Sequence, residues 1–314
     1  MQDIVESALE NADKERHETV KPQSTEFGPP QFLYIGCGER GESRVAAGLT
    51  DRTYDDPPPT SLGDLVTALH VGDDVAAAAR ANSLGRLLED TQTDAELNQQ
   101  ALETIDLCLL TVDRADPQAV AAAANVAEFF KDTPTIVFAS TPDGGARGPP
   151  LDSLRNTTNM TVLLNESLID GSPLGGGDVS PEALVDRHIR NFVTNIVELL
   201  SVPGPISVNY ARVWDLWQSD GVAIPSVAKL DRDDFDVEAI KESLVPLARA
   251  DESLDSWFGY AVGGAEFTLA ELEQLRETLP AALGGELEPN DGVLGGRIRA
   301  DSEDTLVVST LQMR

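Results

Sequence analysis

Cysteine, histidine and lysine are scarce in this chain of 314 residues, and each scarcity removes a class of function. The two cysteines, Cys37 and Cys108, lie in separate apolar, strand-like runs. They lack the spacing of a metal site and read as buried, inert thiols. The three histidines, His17, His70 and His188, are scattered. That excludes a histidine-based zinc centre or triad, and no metal is expected. The cations form no basic stripe, so nucleic acid is not an expected partner. No apolar run approaches the ~18 residues of a membrane span. The first residues are acidic and polar rather than signal-like, and a cytoplasmic location is expected.

Acid is what the chain has in excess. There are 54 Asp and Glu against 23 Lys and Arg, a formal net charge of −31, and arginine outnumbers lysine 18 to 5. One reading is an acidic patch for a basic partner. The other is a whole surface adapted to molar salt, where the Debye length falls to about 3 Å and self-repulsion is tolerable. Spread along the whole chain, the acids favour the halophilic reading.

Periodicity and turn signals divide the chain. Residues 1–30 are polar, end in Gly28-Pro29-Pro30 and read as a tail, with one or two helical turns over 4–10. A strand over 31–35 runs into Gly36-Cys-Gly38-Glu-Arg-Gly41 and then a helix over 43–49, the opening of a nucleotide-binding α/β unit. Further strands are expected at 65–69, 105–112, 135–139 and 160–164, with two helices in 73–103 and one from Asp116-Pro117 to Phe130. Glycine-rich loops fall at 142–150 and 171–177. Ser180-Pro181-Glu182 opens a long helix to about residue 200, with apolar residues on more than one side. Beyond it the chain predicts helices over 214–219, 237–248 and 268–283 and strands over 224–230, 256–262, 297–299 and 305–309. Thr268 and Glu271 have the spacing of a capping box. The fold class is α/β, a parallel sheet covered on both faces followed by a smaller α+β part. A dehydrogenase reading is disfavoured, since no acidic residue closes a second strand ~20 residues after the glycines.

Several stretches, in this order and at this spacing, resemble the tubulin/FtsZ superfamily over residues 31–314. Gly36-x-Gly38-x-x-Gly41 is similar to its first glycine loop. Leu163-Leu-Asn165-Glu-Ser-Leu168 resembles the stretch beginning Pro-Asn-Asp-Arg. Val202-Pro-Gly204 and Ile206-Ser-Val-Asn209-Tyr-Ala-Arg212-Val213 resemble the end of the central helix and the catalytic loop. Glu266–Leu272 and Thr305–Thr310 resemble the last helix and strand of FtsZ. The resemblance implies a Rossmann-like GTPase-type domain over 31–178, a central helix over 179–202 and a C-terminal domain over 203–314.

The departures carry the functional expectation. The family holds phosphates with a second, glycine-rich loop, where backbone N–H groups approach the oxygens. Here strand 107–112 leads into Asp113-Arg-Ala-Asp116-Pro117-Gln118, with no glycine, two carboxylates and a proline without an N–H. Glu39 and Glu42 add repulsion, which Arg40, Arg44 and Arg114 could offset. Two aspartates of the family's catalytic loop are replaced by Asn209 and Arg212, neither a carboxylate base. Arg212 could instead reach an acidic loop of a neighbouring subunit. His188 stands where the family reads guanine, with Asp186 as the alternative register.

Gly36, Gly38, Gly41 and Asn165 are therefore vestigial nucleotide-site candidates, read either as ligand contacts or as a plain turn. The resemblance implies a non-catalytic FtsZ-like cytoskeletal protein of cell division or cell shape, at the division site or cortex. It would assemble with itself or with an active FtsZ-family paralogue, and no cofactor is expected. A GTP-binding, polymerising GTPase that keeps the first glycine loop is the alternative. The family's C-terminal adaptor peptide is not matched, so a membrane adaptor would use another surface, such as residues 1–30.

Overall fold

Strands that are apolar along their whole length need cover on both faces, and the first strands of this protein receive it. A computed structural model describes residues 30–50, 66–71, 105–141, 152–169, 172, 174, 179–201, 208, 210–217, 221–231, 236–248, 255–284, 287–298 and 305–313. The expectations for residues 4–10, 73–103, 142–150, 171, 175–177, 202–206 and Asn209 fall outside the described residues.

The chain opens with β1 (Phe32–Cys37) and α1 (Gly38–Thr50), then β2 (Val66–Val71) and β3 (Leu107–Asp113). Next come α2 (Pro117–Phe129), β4 (Thr135–Thr141), the single turn α3 (Asp152–Arg155) and β5 (Met160–Asn165). A 3-10 turn (Glu166–Leu168) precedes the 21-residue helix α4 (Pro181–Ser201). After α5 (Tyr210–Trp217) follow β6 (Gly221–Asp231), α6 (Val237–Ser243), β7 (Val245–Pro246) and β8 (Ser256–Gly263). The chain closes with α7 (Leu269–Leu283), β9 (Gly292–Ile298) and β10 (Thr305–Met313).

The sheet runs β2-β1-β3-β4-β5-β6-β10-β8-β9. The first five strands are parallel, in register from Phe32 opposite Val66 and Leu107. The long strand β6 joins the two halves. Its first residues pair parallel with β5, Met160 opposite Gly221, and its later ones pair antiparallel with β10, Leu230 opposite Leu306. Strand β10, last in sequence, lies between β6 and β8.

On one face Leu33, Ile35, Cys108, Leu110 and Val137 pack on α2 through Ala119, Val120, Ala123 and Val126. On the other, Phe32, Tyr34, Leu109, Phe138 and Val162 pack under α4 through Val185, Ile189, Phe192 and Ile196. Each large side chain so buried contributes about 1.5–3 kcal/mol. A third cluster sets Leu272, Leu275 and Leu279 of α7 against Trp257, Ala261 and Leu294. Trp217 is also buried, with Phe258 at a ring separation of 6.0 Å. Cys37 and Cys108 are free and fully buried, and burial pushes the Cys37 thiol up to about 12, as an inert thiol requires.

Caps set the helix boundaries. Asp116 has extended backbone and accepts from the N–H groups of Gln118 (2.9 Å) and Ala119 (3.1 Å), with Pro117 beginning α2. Thr268 and Glu271 form the expected reciprocal capping box.

Several expected elements have other bounds: the helix expected over 43–49 begins at Gly38, and the strand expected over 305–309 runs to Met313. The helix expected over 237–248 stops at Ser243, because Pro246 disfavours helical backbone at the residue before it and offers no N–H. Val245–Pro246 instead pair with β6. The helix expected from Trp214 begins at Tyr210. The strand expected over 297–299 begins at Gly292, hidden by glycines that are poor strand formers. Their reason is spatial: a Cβ at Gly292 would lie 2.3 Å from the Trp257 ring, and one at Gly295 2.0 Å from Leu199 Cδ1.

Candidate functional site

The carboxyl ends of β1, β3, β4 and β5 meet the start of α4, the usual place for a ligand in an open parallel sheet. The glycine turn builds its floor. Gly38 has φ +75, a conformation that favours glycine, and an added Cβ would lie 2.7 Å from Ala119 Cβ and 3.0 Å from Asp116 Oδ2. A Cβ on Gly36 would lie 2.2 Å from the Gly41 carbonyl oxygen, and one on Gly41 2.8 Å from that of Thr111. The three glycines thus seat α1 directly on β1, β3 and the start of α2.

Two arginines one turn apart on α1 fill the space above this floor. The Arg40 guanidinium donates to Asp113 at the end of β3 (3.1 Å), to Glu166 after β5 (2.6 Å) and to Asp186 on α4 (3.3 Å). It also donates to the Glu182 carbonyl (3.2 Å) and pairs with the Glu182 carboxylate at 3.4 Å. Arg44 is deeper, its side chain 0% exposed. Its Nε donates to Asp186 (2.6 Å), and its terminal nitrogens donate to Thr111 Oγ1 (3.3 Å), the Val112 carbonyl (3.2 Å) and Ser140 Oγ (2.7 Å). Burial pulls the Arg44 pKa down against the pull of Asp186. Burial also works against the Arg40 charge, but the Glu166 hydrogen bond and Asp186 outweigh it and raise its pKa. Two guanidinium cations face four carboxylates, leaving the cluster with a net charge of −2.

The backbone donors at the start of α2 are also occupied, and Arg114 is the exception among the cations. The start of α2, where a helix end attracts anions, is covered by the Asp116 carboxylate. Asp113 accepts from the N–H of Ala115 as well as from Arg40. Arg114 is buried, with no hydrogen bond to its Nε among the described residues, and burial pulls its pKa down. Among the described residues no group of His, Cys, Asp and Glu is arranged to hold a metal.

The other candidates separate. Asn165 caps the 3-10 turn, its Oδ1 accepting from the Ser167 N–H (2.9 Å) and hydroxyl (2.8 Å). Arg212 lies exposed on α5 and donates to the Asn290 carbonyl of its own chain. His188 is fully buried, Nε2 2.6 Å from Ser172 Oγ, and its Nδ1 has no hydrogen-bond partner among the described residues. Burial, then Arg187, lowers its pKa to about 4. The two registers considered for the central helix therefore face different ways: Asp186 joins the arginine cluster and His188 does not.

Sequence reasoning named Arg40 and Arg44 as offsets to a phosphate's repulsion, and missed that Glu166, Glu182, Thr111 and Ser140 would claim them. One signal was available. Glu182 and Asp186 are four apart near the start of a helix and so share a face, and Arg40 and Arg44 repeat that spacing with opposite charge.

No family model matches the chain. Curated relatives do. It is 25% identical over 317 residues to the cell division protein FtsZ 2 of Halobacterium salinarum, covering 90% of this chain and 77% of the relative. It is 24% identical to FtsZ 2 of Haloferax volcanii, covering 90% and 76%, and 24% to FtsZ 2 of Methanocaldococcus jannaschii, covering 98% and 85%. Among solved structures, an empty FtsZ dimer from M. jannaschii superposes with a TM-score of 0.67 at 18% identity, over 96% of this chain and 92% of that one. A GTPγS-bound protofilament of CetZ2 from Haloferax volcanii gives 0.58 at 14%, over 90% and 92%.

Proposed function

This chain belongs to the tubulin/FtsZ superfamily, and from that premise we propose that it is a non-catalytic FtsZ-like cytoskeletal protein in which nucleotide binding has been lost or strongly weakened. Its role is to scaffold or regulate cell division or cell shape, alongside copies of itself or an active FtsZ-family paralogue. The supporting observation is the arginine cluster: Arg40 and Arg44, the cations best placed to receive phosphates, are committed to Asp113, Glu166, Glu182 and Asp186.

A nucleoside triphosphate entering here would meet a net negative site. To engage either arginine it would have to displace carboxylates already hydrogen-bonded to it, and at Arg44 to reach a guanidinium with no exposed side-chain surface. No glycine follows β3 to bring backbone N–H groups to a phosphate, and the N–H groups of Gln118 and Ala119 already donate to Asp116. The replacement of the family's catalytic-loop aspartates by Asn209 and Arg212 points the same way. Assembly would then be independent of nucleotide. The acidic surface and relatives from halophilic archaea support a protein that works in molar salt. No helix among the described residues is long and apolar enough to cross a membrane, and a membrane adaptor is the proposed route to the division site or cortex.

Calorimetric titration of magnesium GTP into the protein in molar KCl tests this reading. The expected result is no binding up to millimolar nucleotide. Micromolar binding would mean that the arginines open to receive phosphate, and the polymerising-GTPase reading would replace this one.

A further inference from the structure

The Arg40–Arg44 cluster joins parts of the chain that are far apart in sequence, at the place where an α/β sheet usually presents itself to a ligand. Arg44 alone connects α1 to β3 through Thr111 and Val112, to β4 through Ser140 and to α4 through Asp186. Arg40 adds the end of β3 and the turn after β5. A bound ligand at such a switch point does the same mechanical work: it ties strand ends and helix starts together by its own charge and hydrogen bonds.

We propose that Arg44, assisted by Arg40, is a built-in substitute for that ligand, locking the first turns of α4 to α1, β3 and β4 so that the ordered state forms without any bound molecule. The inference rests on the reading that nucleotide binding is lost.

The chemistry suits a lock that must hold in strong salt. At about 1 M salt the screening length is near 3 Å, so exposed ion pairs lose most of their value, while buried pairs are screened far less. Arg44 has no exposed side-chain surface and Asp186 is largely covered. The planar guanidinium suits the task because it stays charged and carries five donors in a fixed fork; Arg44 spends them on four separate acceptors.

The division of labour along α4 makes the lock local. Polar ties from its first half run to the cluster through Asp186 and to Ser172 through His188. Ties from further along run to the antiparallel half of the sheet, Asn191 to Ser309 Oγ (2.8 Å) and Glu198 to the Tyr260 hydroxyl (2.7 Å). Releasing Asp186 should therefore loosen one end of the helix and leave the other held.

Amide hydrogen exchange on the full chain in about 2 M KCl, within the molar salt proposed for this acidic protein, tests this with Asp186→Asn. The expected result is at least tenfold faster exchange over 183–190 and at the ends of β3 and β4, with 192–198 and β8–β10 unchanged. Arg44→Lys, which keeps the charge but loses the fork, should give the same pattern more weakly and serves if Asp186→Asn does not fold. Arg40→Met, which leaves the Arg44–Asp186 pair intact, should open the same segment at least threefold less than Asp186→Asn.

Unchanged or uniformly faster exchange in both Asp186→Asn and Arg44→Lys overturns the lock while leaving the lost-nucleotide reading standing. An Arg40→Met effect as large as that of Asp186→Asn overturns the assignment to Arg44. Protection of 36–41 and 113–118 on adding magnesium GTP to the unsubstituted chain overturns the reading beneath it, and with it the idea of a substitute.

Discussion

Two glycine-rich segments of this protein, Gly36–Gly41 and Gly292–Gly296, do the same physical work, yet only the first looks like a ligand loop in sequence. In both, glycine is present because another atom occupies the place of its Cβ. At Gly36 and Gly41 the neighbours are backbone carbonyls, so α1 lies directly on β1 and β3. At Gly292 they are the Trp257 ring and the Trp257 carbonyl oxygen, and at Gly295 chiefly the Leu199 side chain, so β9 lies close under α4 and beside β8. The difference teaches that a glycine pattern reports close approach, and that its meaning depends on what surrounds it. Around the first segment stand two arginines and four carboxylates, and around the second an apolar seam.

The comparison can be broken most severely at Gly36. An alanine there would force its Cβ against the Gly41 carbonyl, and backbone cannot swing aside as a side chain can. Gly36→Ala should cost about 3 kcal/mol or more, measured by denaturant unfolding in molar salt. A cost below about 1 kcal/mol would show that α1 is not seated as described.

Acid should act next, at His188 on α4, the helix that both segments approach. His188 is held neutral by burial, with a pKa of about 4 against 6.5 unfolded. The unfolded chain therefore takes up the proton first. The stability due to neutral His188 is fully present above pH 6.5 and is lost as pH falls from 6.5 towards 4, up to about 3 kcal/mol. His188→Gln, which cannot titrate, should flatten the stability profile across that window. An unchanged slope would assign the acid sensitivity to other groups.

The smallest effect is expected at the second segment. Gly295→Ala meets the end of the Leu199 side chain, which can turn away, and Tyr260 Cδ2 at 3.3 Å, so the cost should be about 1–2 kcal/mol. Adding Leu199→Ala should give a double variant more stable than the two single costs sum to, since contacting residues couple. Strict additivity would mean that β9 approaches α4 for another reason.

Much of this is legible in the sequence. The strands around residues 35, 110, 137 and 162 were visible because a buried parallel strand must be apolar throughout, and Asp116-Pro117 and Thr268–Glu271 because caps are local chemistry. The early start of β9 was not, since its glycines answer to Trp257 and Leu199, far away in sequence. The end of α6 is legible at Pro246, which cannot continue the helix, although the apolar pattern runs on past it.

The candidate site divides in the same way. The missing glycines after β3 and the substitutions at Asn209 and Arg212 are facts of the sequence, and they set the functional expectation. Where Arg40 and Arg44 point was decided only in three dimensions. Their partners Thr111, Asp113, Ser140, Glu166 and Asp186 lie between 67 and 146 residues away from them. A sequence lists its charges. Which of them meet is settled by the sheet that brings four strand ends and one helix to a point, and by the cost of leaving a buried cation unpaired.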